Sequence, residues 1–214
     1  MRNIKLSILT PVWNQEELVI RTMDSIPRRD DIEVIVWDDG STDNTLKNLR
    51  EYAKKTDLCS FQVFSNKKNL GVAATTNKLL AKAKGEYFHF LMSDDMALTE
   101  AYNSLIDRLY SFEGDVLAMN LLVNNGDVWR LTKKMDELWC AQACRFIRRS
   151  FVEGIKYPEK VKAGEDWFFH REMMARKPIV EYSDVTAYRY NFPREGSLMN
   201  LRAKGAFTDE ELRP

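Results

Sequence analysis

The chain has 214 residues with 32 basic and 32 acidic side chains, so it offers no global field to nucleic acid or an anionic membrane. Aromatics at 11%, with five Trp, exclude a disordered chain, and the length suffices for one domain with a sizeable core. Three Cys make no disulfide framework and fit free thiols in a reducing compartment. The N-terminal MRNIKLSILTP is too short an apolar run for a signal peptide, and no stretch reaches the roughly 20 apolar residues of a spanning helix. A soluble, cytoplasmic protein is expected.

Lys5 to Thr10 reads as a short strand ended by Pro11, and Gln15 to Ile26 as a helix with Val19, Met23 and Ile26 on one face. Ile32 to Trp37 is a second strand, ending on Asp38-Asp39-Gly40. Ser41 or Thr42 is expected to cap the next helix, whose stripe is Leu46, Leu49 and Ala53, with Asp43 in its first turn. Phe61 to Ser65 is a third strand. A helix with Val72, Thr76, Leu79, Leu80 and Ala83 follows and is expected to end at Gly85. The fourth strand begins at Phe88 and runs into Ser93-Asp94-Asp95. After it comes a helix marked by Leu98, Ala101, Leu105 and Leu109.

This alternation within about 110 residues predicts an α/β fold: one Rossmann-like domain with a mostly parallel central sheet and helices on both faces. Two strands end in Asp-Asp. Adjacent aspartates cannot be buried without partners, so they mark the carboxyl edge of the sheet, where ligands bind in open α/β folds. Acidic oxygens there suit a hard divalent cation and, with it, a diphosphate. The alternative for either pair alone is a solvated turn; their recurrence favours a site.

The pattern then changes. Val116 to Val123 and Val128 to Leu131 flank Asn124-Asn125-Gly126-Asp127, a hairpin signal. An aromatic, basic segment runs from Trp139 to Lys162. Gly164-Glu165-Asp166 opens a helix on which Asp166, His170 and Met173 share a face, closed by Lys177-Pro178. Val185 to Tyr190 reads as a last strand, and Thr208 with Glu211 suggests a short peripheral helix. The division is about 1–112 for the alternating half, about 113–200 for a smaller second half, and 201–214 for a tail, all within one domain.

In the same order over most of the chain, the segments LSILTPVWNQEELVIRTMDSI, EVIVWDDGSTDNT, NLGVAATTN, GEYFHFLMSDD, GIKYP with GEDWFF, and YRYN with a following GS occur. Together they resemble the family 2 glycosyltransferases with the nucleotide-diphospho-sugar (GT-A) fold. The resemblance implies an inverting transfer of a sugar from a nucleotide diphosphate, with Mn2+ or Mg2+, and a second half that faces the acceptor. It implies that Thr10, Pro11 and Trp13 line the nucleotide, with Trp13 as a stacking face. It places Asp39 at N3 of uracil, where a carboxylate accepts and cannot donate, favouring uracil or thymine. Asp94 falls near the ribose and the metal, Asp95 on the metal itself, and Asp166 at the general base that deprotonates the acceptor. Met92 stands where the family often has an aspartate, and Thr76 where it usually has an arginine. A charged contact to the nucleotide is then absent, or comes from the basic 145–162 segment.

Other readings stay open beside these. Asp166 could simply satisfy the helix dipole, a role Glu165 can also fill. His170, one turn on, is read as structural, and Cys140 with Cys144 as plain thiols rather than a zinc site. Arg145, Arg148 and Arg149 read as a solvated basic face, with room for one at the diphosphate or acceptor; Trp139 and Trp167 read as core, with stacking on a sugar as the alternative.

The expected activity is therefore transfer from a UDP-sugar, less favourably a dTDP-sugar, to the hydroxyl of a glycan, glycolipid or other acceptor. A nucleic-acid acceptor is disfavoured, and a lipid-linked one would be met peripherally at the cytoplasmic membrane surface. The rivals are a nucleotide-sugar or glycan-binding module without turnover, and a sugar-1-phosphate nucleotidyltransferase. The latter would want a Gly-rich basic loop that TPVWNQEE lacks.

Overall fold

Strand β1 (Leu6–Val12) is buried along its whole length and lies between two parallel neighbours, β2 (Ile32–Asp38) and β4 (Tyr87–Phe90). Near-continuous apolar runs are what a strand covered on both faces requires. β1 runs on through Pro11, past the predicted stop. The Leu9 carbonyl accepts from Leu91 on the β4 side and the Val12 carbonyl from Asp39 on the β2 side. Alternation turns Pro11 toward β4, which has already ended, so its missing N–H costs no ladder bond. The computed structural model describes residues 3–134, 142–161, 164–192, 194–195 and 204–205. The expectations for Trp139, Cys140, Lys162, Gly196-Ser197 and the helix at Thr208 and Glu211 lie outside the described residues.

Among the described residues one sheet holds every strand, in the order β3-β2-β1-β4-β8-β6-β9-β5. Among themselves β1, β2, β3 (Phe61–Ser65) and β4 pair only in parallel. The second half is mixed: β8 (Arg145–Arg148) is antiparallel to both β4 and β6 (Val116–Val123). Strand β9 (Val180–Tyr190) is parallel to β6, and β5 (Met96–Ala97) closes the edge. β7 (Val128–Trp129) forms the expected hairpin with β6, with Gly126 at φ +90° in its turn. β9 starts five residues before the predicted Val185, because Glu181, Ser183 and Asp184 hide a stretch that nevertheless pairs with β6.

Period-two alternation sorts the sheet's side chains into two cores. Leu6, Ile8, Val34 and Val36 pack with Met23 of α1 (Val19–Asp24), Leu49 of α2 (Thr45–Ala53) and Leu105 of α4 (Thr99–Arg108). Leu9, Ile35, Phe88 and Phe90 pack on the other face with Leu79 of α3 (Val72–Lys82) and Phe169 and Met173 of α5 (Glu165–Ala175). Helices thus cover both faces, as predicted.

Two helix starts and one helix end differ from expectation, each for a hydrogen-bonding or packing reason. The backbone N–H groups of Asn14, Gln15 and Glu16 donate to Ser41 Oγ, Thr45 Oγ1 and Asp43 Oδ2 of the next loop, so α1 begins only at Val19. In return Thr42 N donates to Asn14 Oδ1, leaving Asp43 Oδ1 to accept from Thr45 at the start of α2. The N-cap is Asn44, which makes no side-chain cap hydrogen bond, so neither Ser41 nor Thr42 caps the helix. α3 ends at Lys82, ahead of Gly85. That glycine lies against β1, where a Cβ would sit 2.6 Å from the Ser7 nitrogen. The interlocked loops fix the carboxyl edge beside the β1–β4 boundary, where the strand order reverses.

Candidate functional site

Asp39 closes β2 and is buried, and its carboxylate organises the loop before α3. Oδ1 accepts from Asn66 Nδ2 at 2.7 Å and Leu70 N at 2.9 Å; Oδ2 accepts from Gly71 N at 2.9 Å. One acceptor direction of Oδ2 is left over. The loop can come this close only because residue 40 is glycine. At φ +69°, a Cβ there would lie 2.5 Å from the backbone carbon of Lys68. Asp38 is buried and accepts from Ser41 N at 3.2 Å. Just beyond β1, Trp13 is 50% exposed, so it is not the core residue its position also allows. Pro11 and Thr10 are buried at the end of β1, and the Thr10 hydroxyl has no partner among the described residues.

After β4 the chain turns through Ser93-Asp94-Asp95, and the last strand holds that turn. Asp95 is 1% exposed; its Oδ1 accepts from Asn191 N at 2.7 Å and its Oδ2 from the Tyr188 hydroxyl at 2.5 Å. The same hydroxyl accepts from Met92 N at 3.2 Å. Asp94 Oδ2 accepts from Arg194 Nε at 2.8 Å, and the Asp94 carbonyl accepts from Arg21 Nη2 at 2.9 Å. Burial first, then the neighbouring Asp94 charge, pushes the Asp95 carboxyl up to about 7 against these donors.

Among the described residues there is no cluster of three or more His, Cys, Asp or Glu that would cage a metal. The donor set nonetheless fits a cation carried in with a diphosphate, since Mg2+-like ions take one or two carboxylates and complete their shell with phosphate oxygens and water. Asp94 Oδ1 accepts no hydrogen bond from the described residues, and Asp95 would lose its ionisation penalty beside a positive charge. Met92, partly buried, offers no oxygen to such an ion.

Asp166 stands in the first turn of α5, its Oδ1 accepting from Trp167 N at 2.9 Å. As the i, i+4, i+7 spacing predicts, Asp166, His170 and Met173 line one small cleft, which they share with Gln142, Arg145 and Phe169. Tyr190 ties this cleft to the other carboxylates. Burial, then the charges of Asp95, Asp94 and Asp166 in that order, drives its phenol well above the ordinary tyrosine value. All three carboxylates therefore lie within electrostatic reach of one side chain.

The basic segment is in part the solvated face expected of it, with Arg149, Lys156 and Lys160 exposed, but Arg148 is partly covered and Arg145 buried. Arg148 pairs with Glu86 at 2.8 Å and Arg149 Nε donates to the Gly85 carbonyl at 2.9 Å, both at the amino end of β4 and away from the site. Arg145, at the opposite end of β8, is buried in the Asp166 cleft. Thr76 is buried in α3 and offers no charge. Trp167, expected in the core, is 43% exposed with the Arg171 guanidinium 4.6 Å from its ring centre. Sequence reasoning missed Arg194, Arg21, Tyr188 and Asn191. Tyr188 and Asn191 fall in the quoted YRYN and Arg21 in the quoted LSILTPVWNQEELVIRTMDSI; nothing local marks Arg194. A separate surface depression, lined by Arg28, Arg29, Asp31 and Asp57, lies at the amino ends of β2 and β3. Its charges are mutually paired, and it faces away from the carboxylates.

A family model described as Glycosyl transferase family 2 matches residues 7–176. The poly(ribitol-phosphate) beta-N-acetylglucosaminyltransferase TarS of Staphylococcus aureus is 26% identical over 216 residues, covering 92% of this chain and 37% of TarS. The poly(ribitol-phosphate) beta-glucosyltransferase of Bacillus spizizenii is 28% identical over 222 residues, covering 92% of this chain and 34% of its own. The chain thus spans little more than a third of these relatives. The structure of S. aureus TarS 1-349 in complex with UDP-GlcNAc matches with a TM-score of 0.78 at 25% identity, over 92% of this chain and 60% of that one. A mannosyltransferase from Pyrobaculum calidifontis, solved with GDP-Man and Mn2+, matches with a TM-score of 0.70 at 15% identity, over 91% and 59%. The expected GT-A fold is the fold of this chain.

Proposed function

Because the chain belongs to glycosyl transferase family 2, we propose that it moves a sugar from a UDP-sugar, less favourably a dTDP-sugar, to an acceptor hydroxyl with inversion. The observation that carries this reading is the Asp94-Asp95 pair at the carboxyl end of the parallel strands, with Asp95 buried and held by Tyr188 and Asn191, together with Asp166 in the first turn of α5. Donor-side carboxylates and a base must face one space for a single displacement to occur between them.

Trp13 presents an exposed ring for the uracil to stack on, close in sequence to the buried Thr10 and Pro11. The acceptor direction left on Asp39 Oδ2 receives N3–H, which uracil and thymine have and cytosine lacks. Asp95, with Asp94 toward the ribose, would hold Mn2+ or Mg2+ against the diphosphate. When bound, that cation supplies charge neutralisation for the departing UDP. Asp166 takes the proton of the acceptor hydroxyl as its oxygen forms the new bond to the anomeric carbon, opposite the breaking bond to the UDP oxygen. Trp167, exposed beside Asp166, offers a stacking face for an acceptor sugar.

The names of the relatives make UDP-GlcNAc the first donor to try and a poly(ribitol phosphate) or other glycan-like polymer the first acceptor. Among the described residues no helix is long and apolar enough to cross a membrane. We place the reaction in the cytoplasm, at the membrane surface if the acceptor is lipid-linked.

Thermal stability with UDP, dTDP, GDP and ADP, each with and without Mn2+, tests the donor site. A ligand at a hundred times its dissociation constant adds about 2.7 kcal/mol. A Mn2+-dependent shift with UDP that Asp95→Ala abolishes is expected. No shift with any uridine or thymidine nucleotide would overturn the reading, and a shift without UDP release from any UDP-sugar would leave a binding module.

A further inference from the structure

Arg194 lies immediately beyond β9, where nothing in the sequence pattern marks it. Its Nε donates to Asp94 Oδ2 at 2.8 Å, and both side chains are largely covered, at 28% and 20% exposure. The surroundings give this contact its meaning. Asp95 repels Asp94, and its own oxygens are held by the neutral donors Tyr188 Oη and Asn191 N. The other guanidinium at the turn, Arg21, is bonded to the Asp94 carbonyl rather than to a carboxylate. Among the described residues Arg194 alone forms an ion pair with either member of the Asp94-Asp95 pair.

A divalent ion on the same carboxylate would stand beside this guanidinium as a like charge, in a place with little water to screen it. We propose that Arg194 is the chain's own counter-cation at Asp94 and that a divalent cation entering at Asp94 Oδ1 has to compete with its charge. Metal affinity in the absence of nucleotide is then held down by an internal competitor. The inference rests on the reading that Asp94 and Asp95 face the donor's diphosphate.

The test is titration of free Mn2+ followed by electron paramagnetic resonance, without nucleotide, on the full chain. Its partly exposed position makes Arg194→Gln compatible with folding, and a thermal melt of each variant checks this. R194Q is expected to bind Mn2+ about fivefold more tightly than the wild type, the effect of removing one partly covered ion pair of ordinary strength. Arg194→Lys, which keeps the charge, should stay close to the wild type. In an Asp94→Asn background the Arg194→Gln change should do nothing. Unchanged or weaker Mn2+ binding by R194Q overturns the inference. If Asp95→Ala abolishes Mn2+ binding while R194Q matches the wild type, only the competition fails. If Asp95→Ala binds as the wild type does, or no variant binds Mn2+, the metal-site reading falls with it.

Discussion

The Tyr188 hydroxyl donates to Asp95 Oδ2 at 2.5 Å, so the orientation of the proposed metal ligand is set from β9, 93 residues further along the chain. Tyr188 is itself fully buried and also accepts from Met92 N, which leaves its phenol little freedom. The Asp95 carboxylate is thus positioned but not neutralised.

Its cost follows from the sign of the shift. In the folded protein the carboxyl is raised to about 7, against 3.8 when unfolded. Below 3.8 both states are protonated and nothing is lost. Between 3.8 and 7 the unfolded chain releases a proton that the folded chain keeps, so stability falls by about 1.4 kcal/mol per pH unit from this group. Asp95→Asn should therefore stabilise the metal-free protein at pH 7 by roughly 1–3 kcal/mol, while abolishing the Mn2+-dependent effect of UDP. Urea denaturation at pH 4 and pH 7 checks this: the gain should be present at pH 7 and small at pH 4.

His89 acts in the opposite sense. It is fully buried; its Nε2–H donates to the Ala143 carbonyl at 2.8 Å, so Nδ1 is the acceptor for the Tyr102 hydroxyl. Burial lowers its pKa to about 4 from 6.5. Stability from the neutral ring is complete above 6.5 and is lost as pH falls toward 4, on the order of 3 kcal/mol in all. An NMR titration of the His89 ring should show no protonation at pH 5.5, where an ordinary histidine is mostly charged.

Asp39→Asn keeps the shape but turns an amide N–H2 toward the backbone donors of Leu70 or Gly71. A loss of roughly 1–3 kcal/mol of stability is expected, from donors left unsatisfied. UDP affinity should fall with it, as measured by calorimetry.

Trp13→Ala should separate binding from folding. Half exposed, the ring contributes little to the core, so the melting temperature should stay nearly unchanged. If it carries the base, UDP binding weakens by about 1–3 kcal/mol, roughly five- to 150-fold.

The parallel half of the fold was legible because each of its strands is an apolar run followed by a helix-period stripe. Local spacing also found the Asp166-His170-Met173 face and both Asp-Asp strand ends. The rest was set by partners distant in sequence. Pro11 reads as a stop until the end of β4 is known, and the start of α1 depends on Ser41, Asp43 and Thr45 taking its first donors. Arg148 looks solvated until antiparallel pairing with β4 brings it to Glu86. Arg194 reaches Asp94 across 100 residues, a contact no pattern of spacing contains.

The most direct measurement compares UDP release from UDP-sugars, beginning with UDP-GlcNAc, by the wild type and Asp166→Asn. The thermal shift with UDP and Mn2+ is recorded on the same samples. If Asp166 is the base of a transferase, both proteins keep the shift while release falls by about 10²–10⁴-fold in the variant. Equal release by the two proteins, whether both active or both at zero, would contradict it.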